Sequence, residues 1–256
     1  MQDDAPPAPR PAATLSRRRL LAGGAAVVPI VSAAAVLHQQ LPWAEGAADM
    51  PLAAPEPPSG YVFFRPAEAA FVEAAVARLI PADELGPGAF EAGVPFFIDR
   101  QLAGAFGRAE SWYMQGPWGV GEPTQGYQTR LTPAELYRAA IAEIDQAVAA
   151  GGGAATTFAR LEAQAQDEWL HRLEQGTLAL RMADARTFFK MLWQNTVEGF
   201  WSDPLYGGNR GMVGWKLIGF AGARYNHLDF VEHHGEPYPL PPVGLRGRPD
   251  WSAPAA

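Results

Sequence analysis

No cysteine occurs among the 256 residues. Disulfides, thiolate-bound zinc, iron–sulfur clusters, thiol nucleophiles and covalently attached c-type haem are therefore excluded from this chain. Lysine is nearly absent too, with only Lys190 and Lys216. With 20 Lys and Arg set against 27 Asp and Glu, the net charge is −7, and no basic stripe lies beyond the N-terminus. Phosphate backbones are held chiefly by Lys and Arg, so nucleic acid is a poor partner for this acidic body. The patterns G-x-G-x-x-G, G-x-x-x-x-G-K-[ST], G-x-S-x-G and H-E-x-x-H are also missing. The chain thus lacks the common fingerprints of dinucleotide, nucleotide, serine-hydrolase and zinc-protease sites.

What is present falls into four stretches, 1–37, 38–60, 61–245 and 246–256. Apolar residues make up 48%, enough for a core, while 27 glycines and 24 prolines predict short elements joined by long ordered loops. Residues 1–13 are rich in proline and poor in bulky apolar groups, which reads as disorder. Ser16-Arg17-Arg18-Arg19-Leu20-Leu21 then leads into an uncharged run from Leu20 to Leu37. A basic region, a moderately apolar stretch and a small-residue patch at Ala33-Ala34-Ala35 compose an export signal, and Ser16, Arg17, Arg18, Leu20 and Leu21 resemble the twin-arginine motif. The competing reading is an uncleaved anchor, which Gly23, Gly24 and Pro29 disfavour. Residues 38–60 read as a Pro/Ala-rich linker, 61–245 as one domain and 246–256 as a flexible tail.

Within 61–245 the periodicity is helical. Val72, Val76, Leu79 and Ile80 form a stripe that starts at Pro66 and stops at Pro81. Val94, Phe97, Ile98 and Leu102 share one face of a shorter helix. Thr132-Pro133-Ala134-Glu135 is a capping box flanked by the staple pair Leu131 and Leu136, and its helix runs to the glycines at 151–153. A fourth helix covers about 161–175, with Trp169, Leu170 and Leu173 inward and Gly176 as its C-terminal cap. A fifth starts at the N-cap Asp184 and carries Phe188, Met191, Leu192 and Asn195 before Gly199. No alternating run supports a strand. The expected fold is mainly α, an irregular helical bundle with long ordered loops rich in glycine, proline and aromatics.

Two such loops carry the candidate surface. Residues 104–130 hold Trp112, Tyr113, Trp118 and Tyr127; residues 199–225 hold Trp201, Asp203, Tyr206, Asn209, Arg210, Trp215 and Tyr225. Aromatics and arginine at this density fit anchors of a protein interface better than they fit a sugar-stacking site. Glu198 and Asp203 are the carboxylates available for acid–base work. Against that role, Glu198 can pair with Arg210, and Asp203-Pro204 reads as a turn. His227, His233 and His234 lie among acidic residues but match no metal-site spacing, so a solvated loop is expected there. No catalytic, cofactor or metal site emerges from the chain alone. The alternative is a stand-alone carbohydrate-binding protein or hydrolase that uses the loop aromatics with Glu198 and Asp203.

Five segments nevertheless carry a resemblance: PAEAAFVEAAVARLIPADELGPGAFEAGVPFFIDRQLAG (66–104), RAESWYMQGPWG (108–119), YQTRLTPAELYRAAIAEID (127–145), FFKMLWQNTVEGFWSDPLYGGNRGMVGWKLIGFAGARY (188–225) and GEPYPLPPV (235–243). In them the chain resembles the gluconate 2-dehydrogenase subunit 3 family. The resemblance implies a small subunit with no cofactor and no activity of its own. Its implied partners are a FAD-bearing large subunit of the glucose–methanol–choline oxidoreductase type and a multihaem cytochrome c subunit. The small subunit would support maturation of the flavoprotein and carry it through the twin-arginine machinery to the periplasm, where the complex is membrane-associated. Arg65 departs from the Thr or Ser expected at such a helix start, and glycines 151–153 and the His cluster look peculiar to this chain.

Overall fold

The computed structural model describes residues 60–119, 121–122, 124–152 and 156–247, and among them six α-helices and no β-strand occur. The export motif, nearly all of the 38–60 linker and the end of the C-terminal tail lie outside the described residues. The helices are α1 (Pro66–Leu79), α2 (Val94–Ala103), α3 (Pro133–Gly152), α4 (Ala163–Gln175), α5 (Ala185–Trp201) and α6 (Val213–Ile218). The mainly α architecture expected from the sequence is what is found. Among the described residues no helix is long and apolar enough to cross a membrane.

Local chemistry sets most helix starts. Pro66 occupies the first turn of α1, and the Glu68 carboxylate accepts the Arg65 N–H at 2.9 Å, so one half of a capping box forms although arginine holds the cap position. At α3 both halves form: Glu135 Oε2 accepts the Thr132 N–H at 2.8 Å and Thr132 Oγ1 accepts the Glu135 N–H at 3.4 Å. Asp184 Oδ1 accepts the Thr187 N–H at 2.8 Å and opens α5. Gly176 closes α4 in the left-handed conformation, φ 67°.

The strongest tie between elements is at the start of the domain. Asp99 on α2 is buried, and its carboxylate accepts three backbone N–H groups, from Val62 at 2.8 Å, Phe63 at 2.9 Å and Phe64 at 2.8 Å. Arg138 of α3 holds the same segment from the other side. Its NH1 contacts Glu68 at 2.8 Å, its NH2 donates to Phe63 O at 3.0 Å, and its guanidinium lies 4.2 Å from the Phe63 ring centroid. Tyr61 stacks on Phe96 at 4.7 Å and donates to Glu73 of α1. Residues 61–64 are thereby fastened to α1, α2 and α3 together.

α5 is the hub, touching α1, α2, α3, α4 and α6. Its apolar flank joins an aromatic core in which Phe71 meets Phe158 at 4.6 Å and Tyr137 meets Phe188 at 5.4 Å. Leu79, Ile98, Leu136, Ile144 and Leu170 complete the interior, each contributing about 1.5–3 kcal/mol by leaving water. Arg78 of α1 meets Asp167 of α4 through two parallel contacts of 2.8 and 2.7 Å.

Three local expectations change. Gly199 does not stop α5, which continues to Trp201; a Cβ there would lie 2.8 Å from Phe97 Cδ1 and 3.1 Å from Val94 Cγ1, so glycine is needed for α2 to pack closely. Trp169 is only half-buried and stacks beneath Arg172 at 4.3 Å, because it sits at the edge of the α4 stripe. The 199–225 stretch is not wholly loop: it contains α6, hidden from periodicity by its six-residue length and its flanking glycines.

Removing the Asp99 carboxylate should leave three N–H groups unsatisfied. Asp99→Ala is expected to lower unfolding free energy by about 3–5 kcal/mol in urea titrations, and Asp99→Asn to recover only part of it. Asp145 behaves oppositely. Burial raises its carboxyl pKa, partly offset by the Phe158 N–H that it accepts at 2.9 Å. A raised carboxyl pKa favours folding while protonated, below about 4, and that contribution is lost as pH rises through the raised value. Asp145→Asn keeps the acceptor without the charge, so at neutral pH it is expected to hold or raise the melting temperature.

Candidate functional site

Two regions stand out, and the 104–130 loop builds the first. Trp112 is half-buried, with Phe106 edge-on at 5.6 Å and Tyr127 at 4.9 Å. The Tyr127 hydroxyl donates to Leu131 O at 2.6 Å, which ties the loop to the start of α3, and burial keeps this phenol above its ordinary pKa. Facing these rings is one side of α5 that carries Lys190, Gln194 and Asn195. Between loop and helix lies a cavity of about 430 Å³. A second hollow of about 570 Å³ shares Trp112, Tyr127 and Gln128 with it and is lined further by Tyr113 and Trp118. Tyr113 is 81% exposed.

The second region is the turn from α5 into α6. Asp203 spends both carboxylate oxygens on backbone: Oδ1 accepts the Leu205 N–H at 2.8 Å and Oδ2 accepts the Leu245 N–H at 2.6 Å. Asn209 is fully buried in the left-handed conformation, φ 44°, donating Nδ2 to Ser202 O at 2.9 Å and accepting the Gly214 N–H at 2.8 Å. Trp215 is buried and donates Nε1 to Trp201 O at 2.8 Å, with Phe220 edge-on at 5.2 Å. Gly208 lies so close to Gly199 O that any Cβ would collide with it. These contacts clamp the turn against α5.

The residues singled out in the sequence therefore divide. Trp112 lines the cavity beside α5, Tyr113 and Trp118 line the adjoining hollow, and Tyr206 is exposed within the turn. Asn209 and Trp215 face inward and serve the fold, as the paired Asp203 carboxylate and the Trp201 carbonyl do. Glu198 does not pair with Arg210; it is exposed and accepts Gln194 Nε2 at 2.8 Å. Arg210 instead lies 5.1 Å from the Phe96 ring centroid, and its backbone N–H donates to Ala92 O at 2.8 Å. Asp203 is tied to backbone through both oxygens, while Glu198 is bonded to a neighbour on its own helix. His227 and Phe230 pack on Tyr238, and His233 Nδ1 meets Glu236 at 2.9 Å. Among the described residues no group of three His, Asp or Glu is placed to hold a metal ion.

Sequence reasoning missed the polar side of α5 and the apolar rim around α6. Ile218 and Phe220 are exposed there, and Leu85 shares a groove of about 200 Å³ with Phe200, Lys216 and Leu217. Burial lowers the pKa of Lys216 in that groove. Exposed Phe90, Leu205 and Tyr206 belong to the two segments that the Arg210–Ala92 hydrogen bond draws together.

The sequence profile of Gluconate 2-dehydrogenase subunit 3 matches residues 66–222, more than half of the chain. The chain belongs to that family. No curated protein and no solved structure matches it. The matched span runs from the first residue of α1 to Gly222, and so contains the cavity beside α5, the Asp203–Asn209 turn and α6. The His-rich segment falls beyond it. Membership makes this chain a subunit-3-like accessory subunit of a multisubunit dehydrogenase, which implies partner chains.

Because Trp215 is an interior strut of this subunit, Trp215→Ala is expected to cost about 3–5 kcal/mol. Tyr113→Ala and Tyr206→Ala should leave the melting temperature within about one degree, since exposed sites seldom change stability by more than about 0.5 kcal/mol. Thermal denaturation followed by circular dichroism separates the two groups.

Proposed function

We propose that this chain is the non-catalytic small subunit of a periplasm-facing, membrane-associated flavoprotein dehydrogenase. It supports maturation and stability of a FAD-bearing large subunit and accompanies that subunit through the twin-arginine route. A multihaem cytochrome c subunit completes the complex and takes the electrons. In this reading the chain itself holds neither FAD nor haem, and its Ser16–Leu21 motif, outside the described residues, supplies the export signal for both proteins.

The observation that carries this reading is the apolar rim around α6 in a chain that belongs to a family of dehydrogenase subunits. Ile218 is 55% exposed, Phe220 48% and Tyr206 48%. Large apolar side chains held in water by a rigid turn suit a surface that a partner covers. Asp203 holds the turn by accepting two backbone N–H groups, a structural role that accounts for it without a hydrolytic one.

Affinity purification of the tagged chain from periplasmic and membrane fractions is expected to yield a stoichiometric partner with flavin absorbance. Ile218→Asp combined with Phe220→Asp should reduce the recovered flavin about tenfold or more, equivalent to at least 1.4 kcal/mol of docking energy, without unfolding the subunit. Arg17→Lys with Arg18→Lys should leave the flavoprotein in the cytoplasm. A colourless monomer from native membranes overturns the assignment.

A further inference from the structure

The side of α5 that faces the 104–130 loop is unusual for a helix at the centre of a bundle. Thr187, Lys190, Met191, Gln194 and Asn195 follow the spacing of one helical stripe, and all five border the 430 Å³ cavity. Four of the five are polar, where such a stripe is ordinarily apolar. Asn195 is only 3% exposed, and its amide is fixed by the hydrogen bond from Nδ2 to the Tyr137 hydroxyl at 3.0 Å. Gln194 is held by Glu198 through its Nε2, which leaves its carbonyl oxygen available. A buried amide at the base and a second amide at the rim thus border the same space.

The opposite wall is aromatic. Trp112 and Tyr127 pack 4.9 Å apart and present ring surface beside the carboxamide of Gln128. Charge at the rim cancels, because Lys190 and Glu122 both line the cavity and neither forms an ion pair among the described residues. A cavity of this volume falls in the range of small-molecule sites, which run from about 300 to 1,000 Å³. Carboxamides pair with vicinal hydroxyls as donor and acceptor at once, while aromatic rings cover the C–H faces between those hydroxyls. The net charge of −7 disfavours an anion.

We propose that this cavity binds a neutral polyhydroxylated molecule, a sugar or sugar alcohol, between the Trp112–Tyr127 wall and the amides of Gln194 and Asn195. The adjoining 570 Å³ hollow, which shares Trp112, Tyr127 and Gln128, gives room for a second ring. The site lies on this chain alone and does not depend on the docking surface around α6.

Titration of the purified full-length chain with D-glucose, sorbitol and gluconate, read by tryptophan fluorescence and saturation-transfer NMR, tests the proposal. Saturable binding of glucose or sorbitol with a dissociation constant on the order of 1 mM is expected, with gluconate about tenfold weaker. Trp112→Leu and Asn195→Leu should each weaken binding about tenfold or more. Gln194→Leu, at an exposed position, carries the same expectation should Asn195→Leu fail to fold. Tyr225→Ala, fully exposed and not among the residues that line the cavity, should change nothing. Absence of saturable binding up to about 100 mM, as expected if a partner loop fills the cavity instead, overturns the proposal. So does binding that survives Trp112→Leu, or a preference for gluconate. Recovery of a flavoprotein partner decides the reading of the whole subunit separately, whatever the titration shows.

Discussion

A single carboxylate organises the start of this fold. Asp99 collects the N–H groups of Val62, Phe63 and Phe64 in a place that water does not reach. Three donors converging on one acceptor group fix the path of the chain before α1 begins. That path decides where Phe63 meets Arg138, where Tyr61 meets Phe96, and hence how α1, α2 and α3 are set against one another. A buried charge is tolerated only when its hydrogen-bonding capacity is filled, and the extended backbone at 62–64 supplies the donors that fill it. The two elements are interdependent: without the strap the carboxylate is stranded, and without the carboxylate the strap has three orphan amides.

α5 then divides the molecule by chemistry. Its apolar flank meets Phe71, Tyr137 and Phe158 in the core, and at Gly199 it lets Phe97 and Val94 of α2 pack where a side chain would stand. Its polar flank faces the aromatic loop across a space that is left open. The turn that follows is held by Asp203, Asn209 and Trp215, the last two of them buried. Residues that look chemically promising in the sequence are thus consumed by the task of reversing the chain within a few residues. The exposed surface is left to Ile218, Phe220 and Tyr206, which are held in place by that reversal.

What was legible in the sequence was local. Thr132 with Glu135, Asp184 with Thr187, and Gly176 after α4 act within one helical turn, so their spacing alone reveals them. Gly199 misled because its reason lies about a hundred positions away, at Phe97. α6 was hidden because a six-residue helix between glycines has no measurable period. Asp99 was silent because an acidic residue on a mostly apolar helix gives no sign of which distant amides it will meet. The aromatic wealth of 104–130 did show in composition, yet the amides opposite it belong to α5 and come into register only through the tertiary fold. Mainly α architecture and family membership were therefore readable, while the division of loop residues into struts and surface was not.

The strap at 61–64 has a mechanical side. Tension applied through the chain ahead of Gly60 reaches the helical body at Tyr61 and Phe64, where hydrogen bonds, a ring stack and a cation over Phe63 resist it together. Load arriving there is shared among α1, α2 and α3 at once, so no one helix is peeled from its end. A body pulled from that end is loaded through three helices together and moves as one piece.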